Sequence, residues 1–159
     1  MIKKLNNKGY LLVEIIVSFV IAMGVAFFLA EITINLKERQ QDLDKQIQFN
    51  VDKSLMTKEV MDDVSKYGVK EVHENTKEDN ELKYTIILSN GTTKILKITK
   101  TAYTYGDYNK QFDESLTINL DTTNTKIDTT NKMLFIKVIA KSQYSDKDYG
   151  LNLVIPYTG

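Results

Sequence analysis

A lone carboxylate inside a long apolar run is the most chemically loaded feature of this chain. Glu14 stands four residues into a stretch that opens at Tyr10 and stays apolar from Ile15 to Ala30 but for Ser18. An acidic side chain at the centre of a lipid-spanning helix costs about 2.5–3.5 kcal/mol on insertion scales. A chain that keeps one there needs a counter-charge for it. Three other groupings bear on chemistry. His73 is the only histidine and lies among charged residues; without cysteine a zinc site would have to borrow carboxylates, and a solvated surface position is the simpler account. Asp121, Asn124 and Asp128 carry oxygen ligands suited to calcium. Their spacing misses the EF-hand loop and its glycine, so a loop built on the repeat Asp121-Thr-Thr-Asn124 and Asp128-Thr-Thr-Asn131 is expected instead. Tyr103, Tyr105 and Tyr108 cluster about Gly106 with Lys100 and Lys110 nearby. Exposed, they would stack single-stranded nucleic acid; as alternating residues of a strand they are ordinary β-formers, which the charge balance favours. The chain has no Gly-x-Ser-x-Gly, P-loop or His-Glu-x-x-His motif. No enzyme, cofactor or metal is therefore expected.

These residues must be positioned by a chain of 159 residues, enough for one packed domain and one additional element. A content of 42% hydrophobic residues with a single proline argues against a disordered chain. Basic and acidic residues balance at 21 each, which gives no bulk attraction to phosphate backbones. The absence of cysteine rules out disulfides, thiolate metal sites and lipoprotein anchoring, so a core alone must hold the domain.

Residues 1–9 carry Lys3, Lys4 and Lys8 and no acid, which keeps that side of a membrane segment cytoplasmic. A secretory signal would have its small-residue cleavage site after the apolar run. Here the small residue, Gly9, precedes it, and Ala30 runs into Glu31-Ile32-Thr33. Residues 10–36 form a helix about 40 Å long, enough to cross a hydrocarbon layer of about 30 Å, with the small residues Ala22, Gly24 and Ala26 along one stretch. From 37 to 67 the helix becomes amphipathic: Leu36, Leu43, Ile47, Val51 and Leu55, then Met56, Val60 and Val64, are expected to form the docked stripe. Lys37, Glu38, Arg39, Asp42, Asp44, Lys45 and Asp52 are placed on the wet side. Gly68 is the expected stop. Residues 68–81 read as a charged connecting loop.

From Leu82 the period changes to two, through the turn signal Asn90-Gly91. Segments at 82–88, 95–98, 116–120, 133–140 and 151–155 are expected as five strands, with 133–140 central and Pro156 closing an edge or end. The fold class is thus α+β: a long N-terminal helix packed against a C-terminal antiparallel sheet over 82–159.

The run Gly9-Tyr10-Leu11-Leu12-Val13-Glu14 with the apolar stretch behind it resembles the prepilin signature of type IV pilins and pseudopilins. The family usually has phenylalanine where Tyr10 stands, and the proline often found in its membrane helix is missing here, which points toward a minor pilin or a competence-type pseudopilin. The resemblance covers the first 30 or so residues in detail and the rest in layout. It implies cleavage after Gly9 by a prepilin peptidase, N-methylation of Tyr10, and pairing of Glu14 with a neighbouring subunit's terminal amine. Loss of the leader's three lysines would leave 18 basic against 21 acidic residues. Implied partners are other pilin subunits, the membrane, and an inner-membrane assembly platform with its ATPase. The implied setting is a single-pass protein, amino terminus cytoplasmic and domain extracytoplasmic, entering a surface filament for DNA uptake, secretion or adhesion. The competing expectation is a membrane-anchored binding module that never polymerises.

Overall fold

The computed structural model describes residues 7–144 and 147–159, with side chains from Tyr10 onward; the leader up to position 6 lies outside the described residues. One helix, α1, runs Asn7–Tyr67 without a proline. It ends at Gly68, whose φ of 70° only glycine adopts cheaply and whose N–H donates to Val64 O at 3.0 Å. The chain divides into two units, 1–41 and 42–159. In the first, every side chain from Tyr10 to Gln40 is exposed. The second holds the rest of α1 and nine strands among the described residues.

The strands are β1 Val69–Lys77, β2 Glu81–Leu88, β3 Thr93–Thr99, β4 Ala102–Tyr105, β5 Tyr108–Gln111, β6 Leu116–Leu120, β7 Lys126–Asp128, β8 Met133–Ser142 and β9 Asp148–Pro156. They form two antiparallel sheets, β1-β2-β3-β4-β5 and β6-β8-β7 with β9 on the other side of β8. The expected α+β architecture is what the protein has, with β8 central and Pro156 on an outer strand. Alternation accounts for β2, where Leu82, Tyr84, Ile86 and Leu88 are buried, and for β9, where Tyr149, Leu151, Leu153 and Ile155 are. The Asn90-Gly91 turn is a three-residue loop rather than a two-residue one. Gly91 takes φ 85°, its N–H reaches Leu88 O, and Leu88 N–H closes on Thr92 O.

The expected loop at 68–81 is corrected: most of it is β1, paired along β2. Val69 and Val72 anchor it in the core. Register shifts between Val69 and Glu71 and between Glu74 and Thr76 break the two-residue period that would have betrayed it. The short strands β4, β5 and β7 also exceed the five strands expected.

The docked face of α1 is a second correction. Met56 and Val60 are fully buried as expected, joined by Phe49 at 2% exposure. Leu43, Ile47, Val51 and Leu55 are 45–61% exposed, whereas Asp42 and Asp52 are buried. At about 100° per residue the two sets lie roughly half a turn apart, so α1 carries two apolar stripes and docks by the one that includes carboxylates. Those carboxylates are tolerated because each meets a partner on the sheets.

Tyr84 is fully buried and its hydroxyl makes no hydrogen bond of proper geometry among the described residues, although burial and the nearby Glu74 charge raise its pKa. An unsatisfied buried hydroxyl costs about 1–3 kcal/mol. Tyr84→Phe is therefore expected to raise the unfolding free energy by about 1 kcal/mol or leave it unchanged, as read from chemical denaturation; a loss of about 2 kcal/mol or more would show that the hydroxyl has a partner.

Candidate functional site

Along α1, residues four apart stack on one face. Tyr10, Glu14 and Ser18 are such a row, and with Val13 and Val17 they line an open groove of about 300 Å³. All five side chains are exposed, and Glu14 has no ion-pair partner among the described residues. Gly9 falls in the helical backbone just before the described side chains. The helix is long and apolar enough to cross a membrane, by length and composition. Near its start it thus presents one acid on a face where no other charged side chain meets it among the described residues.

Within the second unit, polar contacts hold α1 to the strands. Tyr149 donates its hydroxyl to the Asp42 carboxylate, and burial followed by that carboxylate pushes the phenol up to about 12. Asp52 accepts from Gln48 Nε2 at 3.0 Å and pairs with Lys110 Nζ at 3.0 Å. Asp63 pairs with Lys94 Nζ at 2.5 Å and accepts from Tyr105 Oη at 2.9 Å. Lys45 Nζ meets Asp113 at 2.6 Å. The groove of about 350 Å³ lined by Asp44, Lys45, Asp52, Lys110 and Asp113 is filled electrostatically by these internal pairs.

Asp113 has its pKa lowered to about 2, first by the Lys45 hydrogen bond and then by Ser115. Its stabilisation is complete above the ordinary carboxylate pKa of about 3.9 and disappears as pH falls through about 2. Being partly exposed, the pair contributes no more than about 1 kcal/mol. Asp113→Asn should flatten the loss of melting temperature between about pH 4 and pH 2; an unaltered acid limb would assign that limb to other carboxylates.

Burial decides between the two readings of the tyrosines, for the ordinary β-formers and against ligand contact. Tyr103 and Tyr105 are 0% and 2% exposed, and Tyr108 is half-buried edge-on to Tyr103 with ring centres 6.3 Å apart. Tyr103 donates to Met56 O at 3.2 Å. The Tyr103 and Tyr105 rings pack the helix to the sheet and offer no face to a nucleobase, Tyr108 is partly buried against the same core, and Lys110 is committed to Asp52. Asp121 and Asp128 each hold the asparagine three residues on, Asp121 accepting from Asn124 and Asp128 from Asn131 through both backbone N–H and side-chain amide at 2.7–3.0 Å. The repeat is a pair of turns closed by side chains, and among the described residues no three histidine, aspartate or glutamate side chains come together as a metal site. His73 is exposed on β1 beside Glu71 at 3.3 Å. The residues that sequence reasoning missed are Asp42, Asp52 and Asp63; their three-to-four-residue spacing with Lys45, Phe49, Met56 and Val60 was the available signal.

Compared with known protein families, curated proteins and solved structures, the chain matches none.

Proposed function

We propose that this chain is a pilin-like structural subunit, a minor pilin or pseudopilin, trimmed after Gly9 and assembled through α1 into a filament or its tip. The observation that carries the proposal is Glu14, without an ion-pair partner among the described residues on a helix otherwise apolar from Leu11 to Val17. In lipid that carboxylate needs an ammonium. Cleavage between Gly9 and Tyr10 would create one at matching depth in every neighbouring copy. The outward stripe Leu43, Ile47, Val51 and Leu55 supports the same reading, because a lone anchor would have no use for apolar surface beyond the lipid-length segment. The peptidase, other pilin subunits and an ATP-driven assembly platform are the partners it requires. The amino terminus would lie in the cytoplasm and the strand-bearing unit outside.

Mass spectrometry of the protein isolated from its native membrane tests this. A mature chain beginning at N-methylated Tyr10 is expected. A chain that retains residues 1–9 would overturn the filament proposal and leave a tethered, non-polymerising extracytoplasmic binding module.

A further inference from the structure

The outer edge of β9 is open. Among the described residues β9 pairs only with β8. The direction of its outward backbone groups follows from three contacts. Gly150 O accepts from Lys53 Nζ at 3.3 Å. On the partner strand, Lys137 N–H donates to Thr125 Oγ1 and Lys137 O accepts from Asp121 N–H, both on the side away from β9. Lys137 faces Asn152 across the ladder, so Gly150, Asn152 and Val154 turn their N–H and C=O groups away from β8. Pro156 has no N–H, and Thr158 N–H is taken by Val69 O at 2.9 Å. The open edge is therefore the segment Gly150 to Val154.

Beside it lies an open trough of about 510 Å³ lined by Lys53, Ser54, Thr57 and Lys58 of α1 and by Gly150 and Asn152. The lining holds two ammonium groups and no carboxylate. Lys58 makes no ion pair among the described residues, and Lys53 only caps the Gly150 carbonyl. Elsewhere on the same helix, Lys45 is matched by an aspartate from the strand-bearing region, while Asp52 and Asp63 are matched by lysines from it. Asp44, Glu59, Asp62 and Lys66 of the same helix also lack an ion pair among the described residues, but Lys53 and Lys58 are the ones that line the trough, beside a sheet edge whose N–H and C=O groups have no strand partner among the described residues.

We propose that this edge is a docking site for an extended acidic peptide segment of another protein, which adds to β9 as a further strand. Its backbone bonds Gly150, Asn152 and Val154, and its carboxylates meet Lys53 and Lys58. Main-chain bonds supply affinity in such strand addition and side chains supply selectivity. The added strand takes over the Gly150 carbonyl, which frees the Lys53 ammonium for a carboxylate. This site is independent of the filament proposal, because it uses no residue of the lipid-length segment.

The test is fluorescence anisotropy on the full chain in detergent micelles with a labelled peptide of sequence TVEVEVT. Saturable binding is expected, weakened about tenfold or more when lysine replaces glutamate in the peptide, when alternate peptide nitrogens are methylated, or in Lys53→Glu/Lys58→Glu. Asn152→Pro removes an outward N–H without touching the β8 ladder and should abolish binding. The modified peptides probe the unaltered protein, so they decide the matter even where a variant folds poorly. Equal binding of the methylated peptide, equal binding of the lysine peptide, or no saturation up to about 1 mM would overturn the proposal. So would self-association of the chain that depends on Lys53 and Lys58 while the peptide stays unbound.

Discussion

Met56→Ala is expected to destabilise the strand-bearing unit by about 2–5 kcal/mol, while Ile47→Ala in the same helix changes its stability by less than about 0.5 kcal/mol. Both substitutions remove a large apolar side chain from the stripe that periodicity alone assigns to the core. They differ in what surrounds them: Met56 is fully buried, whereas Ile47 is 61% exposed. Truncating Met56 would leave a cavity beneath the Tyr103 hydroxyl, which donates to the Met56 carbonyl. The neighbouring Phe49 and Val60 are themselves buried, so the space cannot close by simple side-chain rotation. Chemical denaturation of the full chain in detergent, followed through tyrosine absorbance, measures both variants. Equal losses would mean that the outward stripe is covered in the isolated protein. Should Ile47→Ala spare stability yet reduce recovery in filaments, the outward stripe acts between chains.

Glu14→Ala should lower incorporation into filaments by two decades or more while leaving membrane insertion intact. Removing one partner of a buried charge pair costs about 3–5 kcal/mol, and each 1.4 kcal/mol is tenfold in an equilibrium. The substitution makes the helix more apolar, so insertion itself cannot suffer. Glu14→Gln distinguishes charge from shape: it preserves the side chain's length and hydrogen bonding but has nothing to neutralise an ammonium. If the glutamine variant assembles normally, the acid is not answered by a terminal amine. The assay is immunoblotting of sheared surface filaments against the membrane fraction.

The first half of α1 is legible because lipid imposes a simple rule, about 20 consecutive apolar residues, that tertiary contacts do not blur. Strands β2 and β9 are equally plain, since apolar residues recur at every second position, and β8 is plain because it is apolar on both faces apart from Lys137. The docked face of α1 was hidden because two selection pressures act on one helix. Its inward stripe reads Asp42, Lys45, Phe49, Asp52, Met56, Val60, and a hydropathy pattern discards the charged half of it. Only the ion partners, contributed from Asp113, Lys110 and Tyr149 far along the chain, make those positions compatible with burial. β1 was hidden for a local reason, the two bulges that shift its inward residues out of phase. The tyrosine cluster reads two ways in the sequence because β-formers and base-stacking platforms use the same residue type; the charge balance favours β-formers, and accessibility decides for them.

The two Asp-Thr-Thr-Asn turns have a practical corollary. Each is closed by its own aspartate and asparagine, and among the described residues Thr123 and Thr130 lend their side chains to no hydrogen bond. Because the chain contains no cysteine, Thr123→Cys or Thr130→Cys would create a unique thiol at a self-supporting bend. A maleimide dye attached there would let single molecules be followed from membrane to cell surface.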